Sequence, residues 1–171
     1  MKIAAHVLAY NVNQFIRPVL ENLVPHVDKI YIAYPEKPFG YNITARQNSI
    51  NPTKLSDIQN ASDNKKIEII QGDWLTEEDM RNDCLRKARE DEFDWFIIQD
   101  ADEFYTEEAW KQIKKVFLTN KRDNHIKTTW YNFWKSSQYV LMYPNGSIKH
   151  VNAGFAIRCK SDVVFYRKRL A

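Results

Sequence analysis

A chain of 171 residues is long enough for one domain with a sizeable core, and 44% hydrophobic with 27% charged residues is the balance of a globular protein, not a disordered one. With 25 Lys and Arg against 22 Asp and Glu, mostly interspersed, the formal charge of +3 gives no reason to expect nucleic acid as a partner. No transmembrane segment is expected, because no stretch approaches the roughly 20 apolar residues that a bilayer span needs.

The first run, KIAAHVLAYN, is apolar up to Asn11 and has the pattern of a buried strand. NQFIRPVLENLVPHV follows with Phe15, Val19, Leu20 and Leu23 at helical spacing, Pro18 tolerable in a first turn, and a stop near Pro25. KIYIAY predicts a second strand, closed by PEKPFGYN, whose Pro and Gly dictate a loop. Residues 42–64 are polar and weakly patterned, so an excursion or mobile loop with room for one short helix is expected. KIEIIQG reads as a third strand and TEEDMRNDCLRKAREDE as a second helix, with Thr76 as N-cap and charges placed to suit the helix dipole. FDWFIIQ predicts a fourth strand, and TEEAWKQIKKVFLTN a third helix capped by Thr106.

Beyond residue 125 the sequence turns rich in β-branched and aromatic residues, with PNGS marking a hairpin turn. Alternation of strands and helices implies a mostly parallel sheet with helices on its faces, made mixed by an antiparallel addition at the end. There is no internal repeat.

Several features point away from special chemistry. Cys84 and Cys159 match no metal or redox spacing and suggest a reducing, cytoplasmic compartment. The apolar start is short, contains His6 and lacks a small-residue cleavage site, so it does not read as a signal peptide. The sequons at Asn42, Asn60 and Asn145 are then chance matches, and the basic tail YRKRLA is a solvated end.

The chemistry is concentrated where the fourth strand ends in Asp100, Asp102 and Glu103. Ligands of such sheets bind at the carboxyl ends of strands. Residues two apart in an extended chain point the same way, so Asp100 and Asp102 can face one site. Two such acids repel unless a cation compensates them, and Mg²⁺ or Mn²⁺ is the natural partner. The plainer alternative is a set of solvated loop acids, with Asp102 and Glu103 favouring the following helix N-terminus.

Three motifs in order, LAYNV after the first strand, MRNDCLRKA in the next-to-last helix and FIIQDADEF, resemble the GT-A fold of family 2-like nucleotide-sugar glycosyltransferases over residues 1–118. The resemblance implies an α/β, Rossmann-like three-layer sandwich with a mixed, mostly parallel central sheet. It implies one domain over 1–171, with a donor-binding half at 1–118 and a short, truncated or minimal acceptor-side region at 119–171. The implied donor is a UDP- or GDP-sugar, with Mn²⁺ or Mg²⁺ as cofactor. Asp102 resembles the direct metal ligand, and Asp100 the acid that reaches the ribose or the metal's water shell. Ala9, Tyr10 and Asn11 resemble the strand edge that contacts base and ribose. Arg81 and Asn82 look like the helix pair near the nucleotide, and Asp73 falls where a loop approaches the base.

The chain departs from the family in two places. Where many members carry an Asp after the second strand, IAYPEK offers Tyr34, able to stack on a base or to sit in the core or cleft wall, and Glu36. About 70 residues follow Asp100, where members usually continue further to hold the acceptor. Within them, Glu103 and Asp162 are the candidates for a catalytic base, and His125 and His150 are the later histidines open to metal ligation. Trp130, Phe133 and Trp134 offer aromatic faces for an acceptor, with at least two of them expected in the core. The acceptor itself, whether glycan, lipid-linked or protein, is not specified. Two other readings stand beside this one: a nucleotidyltransferase, disfavoured because LAYNVNQFIR has no glycine to cradle a triphosphate, and a non-catalytic sugar- or nucleotide-binding module.

Overall fold

The computed structural model describes residues 1–40, 43–134 and 136–166; the Asn42 sequon and the last five residues of the basic tail lie outside them, as does the side chain of Trp134. The chain runs β1 (Ile3–Leu8), α1 (Ile16–Leu23), β2 (Lys29–Pro35), α2 (Ile43–Gln47), α3 (Leu55–Ala61), β3 (Ile67–Gly72), α4 (Glu77–Glu90), β4 (Trp95–Gln99), α5 (Glu107–Thr119), β5 (His125–Tyr131), β6 (Phe133–Trp134), β7 (Ser136–Val140) and β8 (His150–Arg158). Six strands form one sheet in the order β3-β2-β1-β4-β8-β5. β1 to β4 are parallel, and β8 runs antiparallel between β4 and β5. The mixed, mostly parallel sheet expected from the sequence is the one observed.

The central strands are apolar on both faces because helices cover both. Ile3, Ala5 and Val7 of β1 join Ile30 and Ile32 of β2 and Ile97 of β4 in a core with α1, α3 and α5. Ala4, Tyr31, Ala33, Phe96 and Ile98 pack on the other face against Met80, Cys84, Leu85 and Ala88 of α4. Strand alternation therefore builds a three-layer sandwich. Trp95 stacks on Phe117 at 4.6 Å, tying the sheet to α5. No helix among the described residues is long and apolar enough to cross a membrane.

Local signals act as the sequence suggests. Thr76 accepts from the Asp79 amide and Thr106 from the Ala109 amide, capping α4 and α5. Pro18 is the third residue of α1, which ends two residues before Pro25. The PNGS turn forms with Gly146 at φ 83°, between the bridged Met142 and Ile148.

Residues 42–64 depart from expectation. They contain two helices, α2 and α3, and side chains with almost no exposure: Asn51, Thr53, Ile58 and Ala61. Hydrophobic periodicity misses this segment because polar side chains hold it, bonding to backbone groups just past β1 and at the end of β2.

Candidate functional site at the carboxyl ends of the strands

After Gln99 the chain does not stay extended. The Glu103 amide donates to the Asp100 carbonyl at 3.1 Å, closing a turn over residues 100–103. The expected facing of Asp100 and Asp102 by strand alternation is therefore replaced by proximity across a turn. Gln99, fully buried, supports it by donating from Nε2 to the carbonyls of Asp100 (3.1 Å) and Glu103 (2.8 Å). The Asp100 amide donates back to Glu103 Oε2 at 3.3 Å.

The three acids differ electrostatically. Burial pushes the Asp100 carboxyl up, an effect opposed by the Arg81 guanidinium and reinforced by Asp102. Burial pushes Glu103 up further, to about 8, with the neighbouring Asp100 charge adding to it. Asp102 is exposed. Arg81, from the first turns of α4, lies 3.4 Å from Asp100 Oδ1 and 2.5 Å from Glu77. Its Nε is buried and has no partner among the described residues.

A cavity of about 580 Å³ opens beside these groups, between β8, β5 and residues 163–166; Arg81, Asp100, Glu103, His125, Trp130 and Phe165 line it. His125 and Trp130 are five residues apart and would face opposite sides of a regular strand. A bulge between Ile126 and Lys127 shifts the alternation, and both reach the cavity. The Trp130 indole N–H is buried without a partner among the described residues. It lies beside the hydroxyl of Tyr105, which is buried as well, and so faces the protein interior and not the cavity.

The other sequence candidates are placed as follows. Ala9 is buried, Tyr10 half-buried and Asn11 exposed with φ 56°, just past β1 and beside the 100–103 turn, since Val7 pairs with Gln99. Asp73 pairs with Arg46 of α2, a buried guanidinium that also donates to the carbonyls of Pro38 and Trp74. Tyr34 is only 9% exposed, packs in the core and donates its hydroxyl to the Thr53 carbonyl at 3.0 Å, so the core role replaces the stacking role. Asn82 turns its amide to Phe165, donating to that residue's carbonyl at 2.9 Å and accepting from its N–H at 2.8 Å, rather than towards the carboxylates.

Asp162 is not brought to the site. It follows β8, whose last residue Arg158 pairs with Trp95 at the amino end of β4, the opposite edge of the sheet. Arg89, near the end of α4, holds the flanking carbonyls of Ser161 and Val163 there. His150 and Phe133 are exposed at the arm beyond β5, with no bond to the carboxylates. Sequence reasoning did not single out Arg46, Asn51, Thr53 or Gln99. An Asn-Pro turn signal at 51–52 was the one local hint.

The donor set suits a hard cation bound by one or two carboxylates and completed by ligand phosphates and water. It does not suit an all-protein cage: among the described residues, no three His, Cys, Asp or Glu side chains converge to hold a metal.

No family model matches the sequence, and no curated protein matches it. The fold has solved counterparts. 4-Diphosphocytidyl-2C-methyl-D-erythritol synthase from Anaerococcus prevotii superposes with a TM-score of 0.54 at 13% identity, over 93% of this chain and 70% of that one. A candidate nucleotide-diphospho-sugar transferase from Desulfovibrio desulfuricans gives 0.48 at 9% identity, over 95% and 66% respectively. Identities this low establish fold alone. The protein has a Rossmann-like α/β fold of the kind found in that synthase, with its carboxylate turn at the edge where such sheets bind ligands.

Proposed function

We propose that the protein is a transferase that binds a nucleoside-diphosphate sugar, UDP- or GDP-linked, at the carboxyl ends of β1 and β4 and passes the sugar to an acceptor hydroxyl. The observation that carries this reading is the turn of Asp100, Asp102 and Glu103, next to Arg81 and the loop after β1. A cation held by Asp102 with Asp100 would offset the charge that grows on the leaving diphosphate.

In the reaction an acceptor oxygen attacks the anomeric carbon. The bond from that carbon to the diphosphate breaks, its electron pair leaves with the nucleoside diphosphate, and the acceptor proton passes to a base. Glu103 is the candidate for that base, because it faces the cavity in which an acceptor beside Asp100 would sit. Trp130 offers this acceptor an apolar face. Arg81 balances the acids on the donor side.

A second reading, nucleotidyl transfer, is favoured by the diphosphocytidyl group in the name of the Anaerococcus protein. It is opposed by the loop after β1, whose LAYNVNQFIR contains no glycine. Paired assays separate the two. Glycosyl transfer predicts metal-dependent release of UDP or GDP from a sugar nucleotide, slowed at least tenfold in Glu103→Gln. Release of pyrophosphate from CTP or UTP with a sugar phosphate, and none of UDP or GDP, would replace it with the second reading.

A further inference from the structure

Asn51 has 4% of its surface exposed and uses every hydrogen-bonding capacity of its amide. Nδ2 donates to the carbonyls of Ala9 at 2.7 Å and Pro35 at 2.8 Å, joining the ends of β1 and β2. Oδ1 accepts from the N–H groups of Asn11 at 3.2 Å and Thr53 at 3.0 Å. Thr53, fully buried, continues the pattern: Oγ1 accepts from the Val12 N–H at 2.8 Å, and its carbonyl accepts from the Tyr34 hydroxyl at 3.0 Å. Two consecutive amides past β1 are thus fixed from one side by one short segment.

That loop needs fixing. Asn11 sits at φ 56°, a left-handed conformation that Asn tolerates better than most residues and that persists where its surroundings determine it. Val7 of β1 pairs with Gln99 of β4, so the loop leaves the sheet at the same edge as the 100–103 turn. Only a primary amide can serve two carbonyls and two N–H groups at once from this position. An aspartate there would face both carbonyls with a negative charge and no donor.

We infer that Asn51 and Thr53 form a polar latch that sets the shape of the loop carrying Ala9, Tyr10 and Asn11, which makes Asn51 a positioning residue for the nucleotide; the inference rests on the donor-site reading above. The residues between β2 and β3 thereby take a functional part: they hold the ligand-facing edge of β1 from behind without touching the ligand.

The test uses Asn51→Asp, Thr53→Val and Thr53→Ser, with Ile58→Val as a control that loosens the core under the same segment without touching the latch. Calorimetric titration with UDP and with GDP, in MnCl₂, reads affinity, and amide exchange reads the Asn11 and Val12 N–H groups. The latch predicts at least a tenfold rise in Kd for Asn51→Asp and Thr53→Val. It also predicts lost protection at Asn11 in the first variant and at Val12 in the second. Thr53→Ser, which keeps the hydroxyl, and Ile58→Val should stay within about twofold of the parent. If Asn51→Asp fails to fold, the Thr53 pair carries the test.

Unchanged affinity in both Asn51→Asp and Thr53→Val would overturn the positioning role. Unchanged protection of the two amides would overturn the latch itself, whatever the nucleotide does. A parent protein that binds neither nucleotide would instead defeat the donor-site reading, and the positioning role with it.

Discussion

His6 lies in the middle of β1 with no exposed surface, stacked on Phe96 at 5.4 Å, and neither ring nitrogen has a partner among the described residues. Burial, with the Arg81 charge adding to it, pulls its pKa down from 6.5 to about 3. Between those values the unfolded chain takes up a proton that the folded one refuses, so this group stabilises the fold above pH 6.5 and the contribution disappears as pH falls towards 3. The slope is at most about 1.4 kcal/mol per pH unit. The raised carboxyls of Glu103 and Asp100 act in the opposite sense, giving stability at low pH that is lost as pH rises through their folded pKa values. Urea melts of the parent and His6→Leu between pH 4 and 7 separate the terms. The variant should lose most of the acid-side slope, and an unchanged slope would mean that His6 is not the group responsible.

Among single residues, the sequence drew attention to a cluster of acids but not to its arrangement. Asp100, Asp102 and Glu103 could be picked out because they interrupt an apolar run. The turn that gathers them depends on Gln99 and on a Glu103 side chain folding back to the Asp100 amide, neither of which has a period or motif.

Elements with a strong physical signature were the most legible. The apolar runs of β1, β2 and β4 are continuous because helices cover both faces, and the Thr caps of α4 and α5 follow from orphan amides at helix starts. The segment with α2 and α3 was not, because it is ordered by side-chain bonds to distant backbone, which no local pattern reports. The same reason hides the role of Asn82. Its paired bonds dock Phe165 on α4, where the ring lies 5.8 Å from the Arg81 guanidinium. Asn82→Ala should lower stability by about 1–2 kcal/mol and speed amide exchange at Phe165. Unchanged exchange there would mean that other contacts hold residues 163–166 in place.

Across the whole chain, charge is less mixed than its total suggests. The first 118 residues hold 15 basic and 20 acidic side chains, whereas the last 53 hold ten and two. The part that carries the carboxylate turn is thus net negative, a poor environment for a diphosphate unless a cation comes with it. A diphosphate bound at this acid-rich edge of the sheet would therefore need a metal ion beside it.

The most direct measurement is the thermal midpoint with UDP and with GDP, each with and without Mn²⁺, for the parent and for Asp102→Ala. Ligand near a hundred times its Kd adds about 2.7 kcal/mol, or roughly 5 to 10 °C for a domain of this size. That rise is expected with at least one nucleotide, only when Mn²⁺ is present and only with Asp102 in place. No rise with either nucleotide, or an equal rise in Asp102→Ala, would contradict this expectation.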